Sequence, residues 1–149
     1  MKHERFPDDF WFGSASAAAQ VQGSPGSNWD FWSSSAKHQQ ALMNGEVEEA
    51  RGKVPCDQLV NFTPGHAARF EEFHESDMKL MKALGHNTIR FSVDWATIEP
   101  EDGMFNEAIL ERYRAMCNFA RFIGLEPVIT LYHWTHRNGF EWYQSYAPQ

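Results

Sequence analysis

The stretch ESDMKLMKALGHNTIRFSVDWATIEP, residues 75–100, decides the fold class. It completes a run from His66 to Leu84 in which mostly apolar side chains recur at helical spacing. Gly85 follows where a helix commonly ends. Residues 87–93 are rich in β-branched and aromatic side chains, as strands are. The stretch therefore predicts a helix, a turn and a buried strand, in that order.

The same alternation continues on both sides of this stretch. Asn106 is a predicted N-cap of a second helix, which an apolar face extends to Gly124. PVITLY, residues 127–132, predicts another buried strand, and residues 10–19 predict a short buried strand near the N-terminus. Strands that alternate with helices imply a parallel sheet with right-handed crossovers, so the predicted class is α/β.

Residues 20–65 separate the first strand from the first long helix. Glycine and proline are dense in this segment, which predicts a long, loop-rich connection. A loop of this length in a compact domain is usually functional. The alternative is a surface helix over residues 36–50, interrupted by Gly45.

Composition limits the functional classes. The chain has 149 residues and a net charge of −7, which argues against a nucleic-acid partner and against an anionic membrane. Cys56 and Cys117 lie far apart, so we interpret both as reduced packing residues rather than as a metal or disulfide pattern. No leader or membrane-spanning stretch is recognisable, and a cytoplasmic location is the default prediction.

Two polar side chains stand in strands that helices should cover on both faces. Arg90, Ser92 and Asp94 share one face of the second strand, and a buried Arg90 needs an anion. His133 is predicted to share a face with Ile129 and Leu131, at the strand end where barrel enzymes place their chemistry. Arg90 and His133 therefore predict a polar ligand site. The alternatives are a salt bridge from Arg90 to Asp94 or Glu99, and a core histidine at 133.

Five stretches resemble glycoside hydrolase family 1, the β-glucosidase and β-galactosidase family. In chain order they are FPDDFWFGSASAAAQVQG (residues 6–23), SNWDFW (27–32), Cys56-Asp57, the stretch at 75–100, and GLEPVITLYHW (124–134). The resemblance implies a (β/α)₈ barrel, of which residues 1–149 are an incomplete domain with about three of the eight strands. An eight-stranded barrel needs roughly 250 residues, so these strands cannot close one.

The resemblance also implies roles for individual residues. Gln20 and His133 match the side chains that hydrogen-bond sugar hydroxyls in the innermost subsite, and Trp134 matches the aromatic residue beside that histidine. Arg90 matches the arginine that neighbours the nucleophilic carboxylate and keeps it ionised. The implied substrate is a β-glycoside, hydrolysed with retention, and no cofactor or metal is implied.

The two carboxylates that break the bond are absent from the sequence. In the family the acid/base lies in a Thr-x-Asn-Glu-Pro motif and the nucleophile in a Glu-Asn-Gly motif, and neither occurs in residues 1–149. The stretch FNEA, residues 105–108, lacks the proline and is explained by helix capping. We therefore expect a fragment without catalytic residues and without activity of its own.

Three departures from the family put its substrate preference in doubt. Asp94 replaces a common serine and points inward, where it can pair with Arg90; Gln22, predicted near the subsite, replaces a common glutamate; and residues 134–138 replace the common Trp-Asp-Leu-Pro. The sugar configuration, the aglycone and the oligomeric state stay open. The alternative function is a non-catalytic carbohydrate-binding or interaction module built from a truncated barrel.

Overall fold

A three-stranded parallel sheet organises the chain. The computed structural model describes residues 5–43, 67–137 and 139–140. The strands are β1 (Gly13–Ala15), β2 (Thr88–Ser92) and β3 (Glu126–Thr130), hydrogen-bonded in the order β1-β2-β3. Both pairings are parallel, which confirms the predicted sheet.

Two long helices connect and cover these strands. The long helices are α4 (Phe70–Ala83) and α6 (Glu107–Phe122). The short helices α1 (Ala18–Val21), α2 (Asn28–Ser34) and α3 (Ala36–Met43) precede α4, and the short helix α5 (Trp95–Ile98) lies between β2 and α6. The predicted N-cap is confirmed, because the Asn106 side chain accepts a hydrogen bond from the Ile109 N–H at 3.3 Å. The helix end at Gly85 is also confirmed. Its φ is +89°, and the His86 N–H reaches back to the Met81 carbonyl at 3.1 Å.

The hydrophobic core lies between β2 and the helices α4 and α6. Phe91 projects from β2 with 1% of its surface exposed, between Phe70 of α4 and Tyr113 of α6. Met78 and Met116 are fully buried in the same cluster. One face of the sheet is thus sealed by the chain's own helices, as the period of the apolar residues predicts.

The first strand differs from its prediction. It spans only three residues, and Gly13 and Ala15 are exposed rather than buried. The reason is its place at the edge of the sheet, where it pairs with β2 alone among the described strands. Apolar composition indicated the strand correctly, but burial requires neighbours on both sides.

The connection after β1 is more helical than its glycine and proline content predicts. Helices α2 and α3 occupy much of residues 28–43. Ser27 explains where α2 begins, because its hydroxyl accepts a hydrogen bond from the Asp30 N–H at 3.1 Å. The proposed surface helix is confirmed over Ala36–Met43, and its continuation past Gly45 lies outside the described residues.

Cys117 is a free thiol that packs against the core, as predicted for a reduced packing residue. Burial raises the pKa of this thiol. Cys56 lies outside the described residues. Over the ranges that the structure describes, no helix is both long enough and apolar enough to span a bilayer.

Candidate functional site

A cleft of about 320 Å³ opens at the carboxyl ends of β1 and β3. Helix α2 and the segment that follows β3 both line it. The residues that line the cleft are Ala17, Ala19, Gln20, Trp29, Trp32, Ser33, His133 and Trp134. The structure therefore brings together Gln20, His133 and Trp134, three of the four residues that the sequence singles out.

His133 enters the cleft by a different route from the one predicted. Strand β3 ends at Thr130, and Leu131 is 76% exposed while Ile129 packs against the core, so these residues do not share a face with His133. A turn after the strand, rather than strand alternation, sets the direction of His133. Its Nδ1 is buried and has no hydrogen-bond partner. Such an atom costs about 1–3 kcal/mol unless a ligand or water pairs with it.

Tryptophans form most of the apolar surface of the cleft. Trp29 and Trp32 meet edge to face, with ring centroids 5.8 Å apart. Trp134, from the segment after β3, is 65% exposed. Sequence reasoning did not select Trp29 or Trp32 as site residues. Their spacing of three residues, on a segment capped by Ser27, was the available signal, because such spacing places two side chains on one helix face.

Arg90 does not line the cleft, and it forms neither of the alternative salt bridges. Its Nε donates a hydrogen bond to the Thr130 hydroxyl at 2.7 Å, on the sheet face opposite α4 and α6. No carboxylate in the described ranges forms an ion pair with it, so the alternative salt bridge to Asp94 or Glu99 is wrong. Glu99 instead accepts hydrogen bonds from the Gly103 N–H and the Trp95 indole, which lower the pKa of its carboxyl.

Asp94 is also placed differently from its prediction. It caps helix α5, accepting a hydrogen bond from the Ala96 N–H at 3.1 Å, and it does not pair with Arg90. The Asp94 carboxylate caps the helix instead of forming the ion pair, because it lies immediately before the first residue of α5. Asp94 is 1% exposed, and burial raises the pKa of its carboxyl.

Gln22 lies near Asp94 and Tyr113, and it does not line the cleft. Its amide oxygen accepts a hydrogen bond from the Tyr113 hydroxyl at 2.8 Å, and the hydroxyl oxygen accepts one from the Asp94 N–H at 2.9 Å. Burial raises the pKa of Tyr113 to about 12, so the phenol stays protonated and able to donate. Gln20 thus lines the cleft, whereas Gln22, two residues later, contacts Tyr113. The prediction that Gln22 lies near the subsite is wrong.

The unusual stretch that begins at Trp134 runs along the rim of the cleft. Thr135 is buried, and Arg137 forms an ion pair with Asp102 at 2.6 Å. Of the described residues in this stretch, only Trp134 lines the cleft. Asn138 lies outside the described residues.

Carboxylates are missing from the cleft wall. Every residue that lines it is aromatic, small, an amide or the imidazole of His133. Glu107, from the FNEA stretch, lies in the first turn of α6, where the Asn106 cap explains the motif as predicted. Within the described ranges, no group of three or more histidine, cysteine, aspartate or glutamate residues is arranged to hold a metal ion.

Comparison with known proteins decides the family. Residues 2–141 match the family described as Glycosyl hydrolase family 1. The chain belongs to that family. Beta-glucosidase A of Acetivibrio thermocellus is 35% identical over 138 residues, which cover 90% of this chain and 27% of the relative. The 6-phospho-beta-glucosidase GmuD of Bacillus subtilis is 28% identical over 162 residues, covering 96% of this chain and 31% of the relative.

Solved structures of the family agree with the fold. The beta-glycosidase BGL167 superposes with a TM-score of 0.72 at 30% identity, covering 89% of this chain and 27% of that one. A beta-glycosidase from Pyrococcus horikoshii gives a TM-score of 0.67 at 27% identity, covering 89% and 26%. The chain thus spans less than a third of the length of these relatives, and its parallel sheet with helices is part of their barrel fold.

Proposed function

We propose that residues 1–149 form the sugar-holding wall of a retaining β-glycosidase. One observation carries the proposal: Gln20, His133 and Trp134 come from two distant segments and line the same cleft, at the carboxyl ends of the strands. Amide and imidazole groups can exchange hydrogen bonds with sugar hydroxyls, while tryptophan faces pack against the C–H faces of the ring. The unpaired Nδ1 of His133 supplies a polar atom that a hydroxyl would satisfy.

The same cleft explains why this wall holds a substrate without cleaving it. Retaining hydrolysis requires two carboxyl groups about 5–5.5 Å apart, one as nucleophile and one as acid/base. No aspartate or glutamate in the described ranges lines the cleft. Both catalytic glutamates then come from strands beyond residue 149. The isolated chain is inactive in this proposal, and residues 1–149 are one incomplete barrel domain.

Arg90 has a defined place in this proposal. It projects from β2 on the sheet face opposite α4 and α6, and its guanidinium makes one hydrogen bond within the described ranges, to Thr130. In the complete barrel that face is the interior, where a guanidinium next to a carboxylate favours the ionised form. Arg90 thus keeps the nucleophile charged. The site needs no cofactor, since two carboxylates perform the chemistry, and we propose a cytoplasmic location and β-glucosides or related β-glycosides as substrates.

Titration of the chain with glucose, followed by tryptophan fluorescence, tests the sugar-holding role. The proposal predicts saturable binding that Gln20→Ala and His133→Ala each weaken about fivefold or more, the usual cost of a lost hydrogen bond to a ligand. His86→Ala is the matched control, because His86 lies before β2, at the other end of the sheet, near Ser14. Equal weakening by His86→Ala and His133→Ala would remove the support for the site.

A non-catalytic carbohydrate-binding module is the second candidate. The cleft favours it, because the sugar-holding side chains line it and no carboxylate from the described part of the chain does. Exposed apolar side chains count against it: Leu84 is 69% exposed, Leu131 76% and Phe122 85%, as expected where further strands and helices are to pack. Sequencing the gene past codon 149 separates the two. Asn-Glu-Pro and Glu-Asn-Gly motifs support the glycosidase, and a stop codon supports the module.

A further inference from the structure

The turn over Trp134–His136 has a backbone that needs outside support. Trp134 has a φ of +69°, in the left-handed region that bulky side chains rarely adopt. Its indole is 65% exposed on the cleft wall, so packing of the ring alone does not fix the backbone. Conformations of this kind persist only where surrounding contacts determine them. The contacts around this turn come from the start of helix α2.

Asn28 makes three hydrogen bonds to the turn. Its Nδ2 donates to the Trp134 carbonyl at 3.1 Å, and its Oδ1 accepts from the His136 N–H at 3.1 Å. Its own backbone N–H donates to the His136 carbonyl at 2.8 Å. The Trp29 indole N–H donates to the same Trp134 carbonyl at 3.0 Å. Both ends of the turn are thus fixed from one helix.

Few side chains can replace Asn28 in this arrangement. The position requires a donor and an acceptor on one short side chain, which an amide provides and a carboxylate or an aliphatic group does not. The support behind Asn28 is rigid, because the preceding Ser27 is fully buried and caps α2 through the Asp30 N–H. Movement of the turn would therefore break bonds to a fixed element.

We propose that Asn28 is a positioning residue for the cleft: it holds the Trp134–His136 turn in its left-handed conformation, and so presents Trp134 and the adjacent His133 to the sugar. The proposal rests on the proposed function, since the presentation of these side chains matters only if a sugar binds there. Asn28 itself does not line the cleft and acts through the turn.

The chain offers a matched control in Asn87. The Asn87 side chain makes the same pair of bonds to a different backbone segment, with Nδ2 donating to the Phe10 carbonyl at 2.8 Å and Oδ1 accepting from the Phe12 N–H at 2.7 Å. Asn87 lies at the amino end of β2, away from the cleft. Asn28→Ala and Asn87→Ala therefore remove equivalent bonds at opposite ends of the sheet.

Two measurements on the 149-residue chain test the proposal. The first follows hydrogen exchange of the His136 amide and the indole resonance of Trp134 by NMR. We expect Asn28→Ala to speed exchange at His136 about tenfold, as for loss of local protection, and to shift the Trp134 indole signal. Asn87→Ala should leave both unchanged. If Asn28→Ala does not fold, the nearly isosteric Asn28→Asp, which places a carboxylate against the Trp134 carbonyl, replaces it and should shift the same signal.

The second measurement is the affinity for glucose. Asn28→Ala should raise the Kd about fivefold, while Asn87→Ala leaves it at the wild-type value. Wild-type exchange and indole signals in the folded Asn28 variants would overturn the positioning role, and so would the same changes in Asn87→Ala. A wild-type chain that binds no glucose would instead contradict the proposed function. In that case the exchange and indole signals still decide the role of Asn28.

Discussion

The two faces of the β-sheet differ in the contacts that their side chains make within the chain. On the face toward α4 and α6, Phe91 is 1% exposed and packed between aromatic rings from both helices. On the opposite face, Arg90 is half-buried, and among the described residues its side chain has one hydrogen bond, to Thr130. The first face is complete within the chain, whereas the second presents a cation without an anion in the described ranges.

This difference shows which sheet face finds its contact partners among the described residues and which face does not. Apolar groups are satisfied by neighbours that the chain itself supplies, so the helix-covered face resembles the core of any α/β protein. A guanidinium that lies within a barrel needs a carboxylate, and the proposed partner lies on a later strand. Substitutions on the two faces should therefore have very different effects on this chain.

Phe91→Ala should have the largest effect on stability. Removal of a fully buried phenylalanine leaves a cavity between α4 and α6, which costs about 3–5 kcal/mol. Arg90→Met is the matched substitution one residue away, on the opposite face of the sheet. It should lower the free energy of unfolding by about 1 kcal/mol or less, the typical contribution of one hydrogen bond. Urea unfolding of both variants measures the free energies. Equal losses would show that the two faces are not different in the way described.

Asn106→Ala should have a smaller effect, since it removes the cap of the helix that covers the apolar face. Loss of the bond from Ile109 costs about 1 kcal/mol for a typical N-cap. Asn118→Ala is the control, because Asn118 is exposed within the same helix and should change stability by less than about 0.5 kcal/mol. Thermal unfolding followed by circular dichroism compares the two. A loss at position 118 as large as that at 106 would contradict the capping role.

Asp94→Asn should change how the free energy of unfolding depends on pH more than it changes the magnitude of that free energy. Burial raises the pKa of Asp94, so the folded chain binds a proton more tightly than the unfolded chain. The contribution of Asp94 to stability therefore falls as pH rises from about 4, the unfolded value, through the higher folded pKa. Asparagine keeps the capping oxygen without the charge, and it should remove this fall.

Denaturant unfolding between pH 3 and pH 8 measures that change. Asp94→Ser, which also keeps a capping oxygen and carries no charge, should give the same flattened profile as Asp94→Asn. A profile that stays as steep as that of the wild type in both variants would show that Asp94 is not responsible for the pH dependence.

Much of the fold follows from local signals in the sequence. The helices α4 and α6 and the strand β2 between them carry clear local signals, and the N-cap at Asn106 and the glycine at 85 set boundaries that the structure confirms. The short helix α2 was not predicted, because a capping serine and hydrogen bonds to a distant segment stabilise it rather than an amphipathic period.

The site was predictable only in part, for a related physical reason. Resemblance to the family selected Gln20, His133 and Trp134, and the structure gathers them in one cleft. The predicted pair of Asp94 with Arg90 and the predicted place of Gln22 were wrong, because sequence spacing does not tell whether a polar side chain meets a ligand, a helix end or a tyrosine hydroxyl. Trp29 and Trp32 depended on the unpredicted helix α2.

Incubation of the purified chain with 4-nitrophenyl β-D-glucoside is the most direct test of the central claim, that residues 1–149 hold a sugar and lack the means to cleave it. We expect the substrate to quench tryptophan fluorescence in the wild type and to do so more weakly in His133→Ala, with no nitrophenol release above the buffer rate. Release that persists in the purified wild type and disappears in Glu107→Gln would contradict the claim, because it would assign catalysis to a carboxylate that the structure places at a helix start.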